Sequence, residues 1–181
     1  MDGKLDLLEI MRQRRSVRSY TSEEVGEEQM KKIIQAGLLS ASGRGIRPWE
    51  LIVVKDKDTL RKMAQCRDHG AAMLEGADAA IVVIADATKT DVWTEDCSIV
   101  MSNMHLMASS LGVGSCWIQG RLRVSAGEDS TEEYLRKLLG FPENCRLEAI
   151  LSLGMPESVQ NPREVTGELW GKVHREVYGK E

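Results

Sequence analysis

The chain reads Arg14-Arg15-Ser16-Val17-Arg18-Ser19-Tyr20 directly after a short amphipathic helix, so three guanidiniums and two serine hydroxyls lie where the backbone is predicted to turn. Guanidiniums stay charged at every physiological pH and offer forked N–H donors that match phosphate oxygens. Serine hydroxyls and the N–H groups of a turn can complete such a cradle. The heptad therefore predicts a phosphate site. Two plainer interpretations stay open for the heptad alone: a solvated basic turn, or a patch that contacts nucleic acid.

The composition of the chain weighs against nucleic acid. Its 181 residues carry 24 Lys and Arg against 28 Asp and Glu, a formal net charge of -4. No overall positive charge is available for general nucleic-acid binding, so the arginine cluster is a local feature. The length fits a single domain, predicted over residues 1–181. Such a domain can bury roughly 70% of its unfolded surface and needs no disulfide or metal in order to fold.

The four cysteines, Cys66, Cys97, Cys116 and Cys145, are widely spaced, and each lies in or beside an apolar run. They form no C-x-x-C pair and have no histidine at metal-ligand spacing, so no metal site is expected. The start of the chain does not resemble an apolar signal segment, and no apolar run approaches the roughly 20 residues of a membrane span. We expect a reduced, soluble, cytoplasmic protein without a membrane or nucleic-acid partner.

Apolar periodicity predicts five helices and four strands. The helices fall at about 5–14, 21–39, 56–65, 93–111 and 132–139, and the strands at 49–54, 79–85, 112–120 and 147–153. A loop rich in glycine and small residues follows the second helix, where backbone can approach a ligand closely. Helices and strands do not alternate strictly, so we expect an α+β domain in which helices wrap a small mixed β-sheet.

Two segments carry apolar residues that the core of a single copy is not expected to cover. In the helix at 93–111, Ile99 and Leu106 fall outside the face that the other apolar residues form. This pattern predicts packing against a second subunit, with a purely intramolecular core helix as the alternative. The segment of about 160–181 keeps Leu169 and Trp170 among other apolar residues, and it is predicted to pack on the partner subunit.

The chain lacks a recognisable set of catalytic side chains. It has no Ser/His/Asp pattern, no Walker loop and three histidines in all, His69, His105 and His174. His105 lies within the long predicted helix and is interpreted as a satisfied interior group rather than a base. An enzyme without acids and bases of its own usually takes its chemistry from a cofactor. Combined with the arginine cluster, this predicts a phosphorylated organic cofactor.

Four segments resemble, in order and spacing, the motifs of the FMN-dependent nitroreductase family, specifically its short, single-domain members. The heptad resembles the opening R-R-S-x-R-x-F/Y motif, and residues 41–49 resemble the P-S-x-x-x-x-Q-P-W loop. Residues 96–108 resemble the long central helix, and residues 111–118 resemble the G-L-G-x-x-W-I segment that leads to the flavin edge. Each motif alone is weak, but the four in order are specific, and the match runs nearly end to end.

The resemblance implies a nitroreductase-like fold in which an intertwined homodimer holds two FMN molecules at the subunit interface. Arg14 and Ser16 then bind the phosphate and ribityl end, with Arg15 beside them. Arg18 reaches the pyrimidine edge of the ring, where a fixed cation favours electron uptake, because reduced flavin carries negative charge there. No side chain is implied as a catalytic acid or base, and Arg18 acts as an electrostatic stabiliser.

Two further segments are implied to contact the ring. Ser42 and Gly43 approach it from the other subunit through backbone and hydroxyl contacts. Ile118, Gln119 and Gly120 form the other contact, at a turn whose backbone N–H groups face the flavin atoms N5 and O4.

The chain departs from the family pattern at three positions of the loop. Ala41 replaces the usual proline, Gly45 replaces a frequent asparagine, and Arg47 stands where glutamine is typical. Arg47 is expected to add a second cation near the ring or its ribityl chain. Arg163 is the nearest candidate for the C-terminal basic residue that completes the phosphate site in larger relatives.

The function that the resemblance implies is transfer of hydride from NADH or NADPH through FMN to a nitroaromatic, a quinone or a similar small electrophilic acceptor. Two alternatives stay open: a reductive dehalogenase or flavin-modifying enzyme on the same fold, and a non-catalytic flavin-binding carrier or sensor. The sequence does not determine the natural acceptor or the choice between NADH and NADPH.

Overall fold

The computed structural model describes residues 6–127 and 129–180. Leu5, which the first predicted helix included, lies outside the described residues. The helices are α1 (Leu7–Gln13), α2 (Glu27–Leu38), α3 (Lys57–Met63), α4 (Trp93–Ser110), α5 (Thr131–Leu139) and α6 (Gly167–Trp170), and the strands are β1 (Trp49–Val54), β2 (Ala79–Asp86), β3 (Gly114–Gln119) and β4 (Cys145–Gly154). Short 3-10 turns occur at Gly43–Gly45 and Ala72–Leu74.

The four strands form one sheet in the order β1-β2-β4-β3, and each pair of neighbours is antiparallel. The α+β class is confirmed, but the expected mixed sheet is wrong for these strands. The strands β2 and β3 run in the same direction and are joined by α4, yet β4 lies between them and pairs antiparallel with both. Within the described residues, the parallel pairing is limited to an isolated bridge between Ser16 and Ser115.

The core has two layers, one on each face of the sheet, and β2 contributes to both. Ile81 and Val83 join the layer that contains α2 and α4, whereas Val82 and Ile84 join the layer that contains α3 and α5. Successive side chains of a strand point to opposite faces, so a strand buried on both sides reads as a continuous apolar run. This arrangement explains why β2 was predicted within one residue of its observed bounds.

The long helix α4 is confirmed at residues 93–110 and lies across one face of the sheet. Its side chains Val100, Met101 and Met104 are completely buried, so these methionines serve in packing. Ile99, on another side of the helix, stays 41% exposed. The protein therefore leaves part of α4 uncovered, as the apolar pattern of the sequence predicted.

The second helix begins at Glu27, and the predicted start near residue 21 is wrong. The N–H of Thr21 donates to the carbonyl of Met155 at 2.9 Å, and the N–H of Val25 donates to Asp78 Oδ2 at 3.0 Å. These partners hold the segment extended against the end of β4 and the start of β2. In a helix that began at Thr21, the N–H of Val25 would donate to the carbonyl of Thr21, so its donation to Asp78 replaces the first intrahelical hydrogen bond.

The four cysteines are free and buried, in agreement with their interpretation as small apolar side chains. A search of the described helices finds none that combines the length and apolar character of a membrane span.

The C-terminal segment leaves the body of the domain. Residues 157–180 are exposed along their whole length. The N–H of Arg163 donates to the carbonyl of Arg12 at 2.9 Å, and Arg15 Nη1 donates to the carbonyl of Asn161 at 2.7 Å, so the first part of the segment is tied to the end of α1. Beyond it, Trp170 is 65% exposed.

Candidate functional site

The heptad forms an extended segment beside the edge strand β3. Arg14 ends α1 with φ -59° and ψ 118°, and the N–H of Val17 donates to the carbonyl of Ser115 at 2.9 Å. Side chains alternate along extended backbone, so those of Arg14, Ser16 and Arg18 share one side. The structure therefore groups three of the predicted site residues.

The thiol of Cys116 lies where these three side chains meet. Burial raises the pKa of Cys116, whereas the charges of Arg18 and Arg14 and a hydrogen bond with the Ser16 side chain lower it. The charges of two arginines therefore act on a buried thiol, which makes this part of the edge of β3 electropositive.

Arg14 is a partly buried cation of the group. Burial lowers its pKa, and the nearby charges of Arg163 and Arg15 lower it further, with Cys116 as the opposing influence. No carboxylate of the described residues contributes to this shift. Arg163 thus lies close enough to Arg14 for their charges to interact, and no described carboxylate offsets them in this shift, which is the arrangement that an anion relieves.

His105, interpreted from sequence as an interior group, is the partner of Arg14. Arg14 Nη1 donates to His105 Nε2 at 2.7 Å, and His105 Nδ1 lies 2.5 Å from Ser115 Oγ. A guanidinium can only donate, so Nε2 is unprotonated, and Nδ1 carries the proton and donates to the serine. Burial, followed by the charge of Arg14, lowers the pKa of His105 to about 4, so the ring is neutral.

The sequence analysis did not predict this contact, because no local pattern indicates it. Arg14 and His105 are 91 positions apart, and they meet only when α1 and α4 pack together. A single histidine within α4 carries no signal for an arginine partner.

Arg15 faces away from Arg14 and Ser16. Its guanidinium donates to the carbonyl of Asn161, and it lines a cavity of about 200 Å³ together with Val17. Neither Arg14 nor Ser16 lines that cavity. In this structure, Arg15 contributes its charge to the arginine group while its side chain ties down the C-terminal segment.

The outer edge of β3 presents backbone donors to solvent. The carbonyl of Ser115 points outward to accept from the heptad, and by the alternation of antiparallel pairing the N–H of Gln119 points outward as well. The N–H groups of Gly120 and Arg121 instead both donate to the carbonyl of Glu148, at 3.1 and 2.9 Å. The expectation that Gly120 offers its N–H to a ring is therefore corrected, and Gln119 keeps that predicted role.

Gly120 has a packing reason to be glycine. A Cβ atom at this position would lie 2.5 Å from Leu147 Cδ2. The side chain of Ile118 is 1% exposed and belongs to the core layer of α3 and α5. By the same alternation, the N–H and carbonyl of Ile118 face β4, so the structure does not offer the predicted contact of Ile118 with the ring.

The loop before β1 is fixed by hydrogen bonds. The N–H of Gly43 donates to Asp96 Oδ1 at 2.7 Å, and the N–H of Arg47 donates to Ser42 Oγ at 2.9 Å. Arg44 and Arg47 adopt φ values of 55° and 51°, a left-handed conformation that is uncommon for arginine. Both side chains are exposed.

The two groups of predicted site residues lie at different places along α4. The loop is held by Asp96 in the first turn of α4, while Arg14 is held by His105, nine positions later and about 13 Å along the helix axis. The helix α4 contacts the region of Gln119 through Ser98, whose side chain donates to Glu148. Ser98 is two positions from Asp96, so the two side chains face different sides of the helix. Within one chain, the loop and the edge of β3 flank α4 rather than face each other.

Comparison with known proteins gives consistent matches across the chain. The sequence profile of the nitroreductase family matches residues 11–67 and 64–155. A protein from Archaeoglobus fulgidus, provisionally named an NADH dehydrogenase/NAD(P)H nitroreductase, is 36% identical over 178 residues, which are 96% of this chain and 99% of that protein.

Solved structures agree with the sequence matches. The FMN-dependent nitroreductase of Clostridium difficile R20291 superimposes with a TM-score of 0.91 at 40% identity, covering 94% of this chain and 99% of that one. A Bacteroides thetaiotaomicron protein, provisionally named an NADH dehydrogenase/NAD(P)H nitroreductase, gives a TM-score of 0.86 at 31% identity, covering 95% and 98% of the two chains.

Proposed function

This chain belongs to the nitroreductase family, and from that premise we propose that it is an FMN-dependent oxidoreductase that passes hydride from NADH or NADPH through FMN to a nitroaromatic, a quinone or a similar flat acceptor. The observation that carries the proposal is the half-buried guanidinium of Arg14, grouped with Arg15 and Arg163 and compensated by no described carboxylate. A phosphate supplies the missing negative charge. FMN, when bound, supplies the redox chemistry.

The chain offers a continuous strip for the cofactor along the outer edge of β3. Arg14, Ser16 and Arg163 would hold the phosphate end, and the N–H of Gln119 would meet the ring end. Four residues of extended strand separate Ser115 from Gln119, a distance of about 13 Å.

His105 prepares Arg14 for this role. Because its ring is neutral and accepts from Arg14, the guanidinium is held in place without a competing negative charge. A carboxylate in the position of His105 would neutralise Arg14 and weaken its attraction for phosphate. The remaining N–H groups of Arg14 stay available for an oxyanion.

Arg18 would act on the ring by charge. It is exposed, and Arg18 Nη1 makes a long contact of 3.4 Å with the carbonyl of Ser16. A cation at this edge would stabilise negative charge that develops on a bound ring. No described side chain is placed as a proton donor to a substrate, so water is the proposed proton source.

We further propose that the active form is a homodimer in which Ser42, Gly43 and Arg47 of one copy complete the site of the other. The uncovered apolar side chains of α1 and α2 support this proposal. Leu8 is 56% exposed and Leu39 is 82% exposed. Exposed apolar surface of this kind usually marks an interface.

The test starts from the purified protein and its visible spectrum. We expect bound flavin, and we expect NADH or NADPH to bleach it under anaerobic conditions in a stopped-flow mixer. A colourless protein that fails to retain added FMN contradicts the proposal, and so does a flavin that neither nicotinamide reduces.

The roles of two arginines are separated in the same experiment. Arg14→Ala should weaken FMN binding more than it slows reduction of the flavin that remains bound. Arg18→Ala should do the reverse. Equal losses of binding and reduction in both variants would contradict the assigned roles.

A further inference from the structure

A second basic cavity lies immediately beyond the end of β3. Its volume is about 350 Å³, within the size range of small-molecule sites. It begins at Gly120, the residue after Gln119, so it adjoins the ring end of the proposed flavin strip. Three arginines, Arg121, Arg123 and Arg146, line it together with Trp93 and others.

The charge of this cavity is positive. Among the described residues, Glu132 is the single carboxylate of the lining. Its oxygens already accept from Arg146 Nε at 2.8 Å, from Arg136 Nη2 at 3.1 Å and from the N–H of Leu147 at 2.8 Å. Burial opposes ionisation of Glu132, but these hydrogen bonds hold its pKa below the ordinary value. Within the described lining, one ionised carboxylate thus faces three guanidiniums, a net charge of about two positive. The carboxyl of Glu148 lies near Arg121 outside the lining, and burial raises its pKa, which favours the neutral form.

The arginines are positioned by a tight turn. The N–H of Arg123 donates to the carbonyl of Gly120 at 3.2 Å, and Leu122 between them has φ 57°. Leucine rarely adopts this left-handed conformation, and backbone strain of this kind concentrates at ligand sites. The turn directs Arg121 and Arg123 to the same cavity, with Arg121 Cζ 5.7 Å from the centroid of the Trp93 ring.

We propose that Arg121, Arg123 and Arg146 form a subsite for the phosphate monoester of a substrate. The inference rests on the proposed function, because it places a substrate group beside the ring end of the flavin site. A phosphate monoester carries close to two negative charges at neutral pH, which matches the net charge of the lining. The Trp93 ring, over which Arg121 lies, adds apolar surface to the lining for the part of the substrate that carries the phosphate.

Two substrates could supply this phosphate: the donor, through the 2′-phosphate of NADPH, or the acceptor, when it is a phosphorylated molecule such as free FMN. Matched pairs that differ by one phosphate monoester distinguish them. KM is measured for NADPH against NADH, and for FMN against riboflavin as acceptors, with flavin-loaded protein. Equilibrium dialysis of adenosine 2′-phosphate against adenosine adds a readout that does not depend on turnover.

We expect the phosphate-bearing member of one pair to have the lower KM. The Arg123→Gln variant should reduce this ratio of KM values about tenfold, which corresponds to the loss of one charge-assisted hydrogen bond. Arg123 suits this test because it is exposed and because, among the residues that the structure describes, its recorded side-chain hydrogen bond is from Nη1 to the neighbouring carbonyl of Leu122. Arg61→Gln is the matched control: Arg61 is an exposed arginine paired with Asp58 on α3, and its loss should leave the preference unchanged.

The pair that responds identifies the source of the phosphate. Equal KM values within both pairs for the wild type overturn the subsite, as does a preference that survives in both Arg121→Gln and Arg123→Gln. A protein that is flavin-loaded and bleached by a nicotinamide, yet shows no phosphate preference, refutes the subsite alone. A protein that holds no flavin refutes the proposed function, and the dialysis measurement still decides on the subsite.

Discussion

Arg14 shows how one side chain of the heptad acquires its role from the fold. The clustering of arginine and serine predicted an anion site from sequence, because guanidinium chemistry does not depend on context. The orientation of Arg14, by contrast, comes from His105 and Ser115, which belong to α4 and β3. A buried neutral histidine at this point should also make the stability of the protein depend on pH.

His105→Gln should flatten the pH dependence of unfolding. The ordinary pKa of histidine is 6.5 and the folded-state pKa of His105 is about 4. Between these values the unfolded chain binds a proton that the folded chain does not, so stability falls as the pH falls through this window. When the pH is lowered from 7.5 to 5, the free energy of unfolding of the wild type should fall by roughly 2 kcal/mol more than that of the variant. Urea unfolding of both proteins at the two pH values measures the difference.

Glutamine can still accept from Arg14, so His105→Gln should keep most of its affinity for FMN. His105→Leu removes the acceptor and should weaken FMN binding about tenfold, as expected for one lost hydrogen bond to a charged group. His69→Leu, at an exposed position, should behave as the wild type. Parallel unfolding profiles for the wild type and His105→Gln would show that His105 is not held neutral.

At the scale of elements, the extended segment before α2 is the clearest case in which tertiary contacts displaced a local preference. Residues 21–24, Thr-Ser-Glu-Glu, look like the start of a helix. The carboxylate of Asp78 captures the N–H of Val25 and also accepts from Lys57 Nζ at 3.1 Å. One buried side chain thereby joins the entry of α2, the start of α3 and the start of β2.

Asp78→Ala should destabilise the fold by about 2–3 kcal/mol, because it leaves the buried N–H of Val25 without a partner. Asp78 is 7% exposed, so water cannot replace the lost acceptor in full. The free energy of urea unfolding at pH 7.5 measures the effect.

Asp58→Ala is the matched control for this change. Asp58 also pairs with a cation, Arg61, but both side chains are exposed on α3. Surface pairs of this type contribute about 0–1 kcal/mol. Similar losses in the two variants would mean that the link from Asp78 to Val25 does not stabilise the fold.

At the scale of the whole molecule, a single copy leaves large apolar side chains exposed to solvent, which the packing of one chain does not explain. The side chains of Leu7, Leu8 and Leu39 are more than half exposed on α1 and at the end of α2, and so is Trp170 in the C-terminal segment. The sequence predicted the C-terminal segment and the long helix α4 as surfaces for a second subunit, whereas the exposed side chains of α1 and the end of α2 are known only from the structure. The homodimer stays a prediction.

Leu39→Glu should convert a dimer to a monomer without unfolding it. Leu39 is 82% exposed, so a charge there costs little in one copy but would be buried in an interface. Sedimentation equilibrium measures the mass, and circular dichroism checks the fold. Val124→Glu, half-exposed at a site outside α1, α2 and α4, should remain dimeric.

Truncation after Glu164 gives an independent measure of the C-terminal segment. This variant keeps Arg163, and with it the charge beside Arg14, but loses Trp170 and the other apolar residues of the segment. We expect a weaker dimer that still binds phosphate ligands. A wild type that is monomeric at micromolar concentration would contradict the proposed assembly.

The sequence by itself determined the features that depend on local chemistry and periodicity. The strand β1 and the helix α4 were placed within one residue of their observed bounds, because apolar repeats act over a few positions. The arginine cluster of the heptad was recognised for the same reason.

Only the tertiary structure decided what depends on contacts between distant segments. The insertion of β4 between β2 and β3 made the sheet antiparallel, and the donation of the Gly120 N–H to Glu148 moved the available donor to Gln119. The pairing of Arg14 with His105 belongs to the same class. These features depend on which surfaces come into contact when helices and strands pack. The residues involved are far apart in the sequence, so no local pattern predicts the contact.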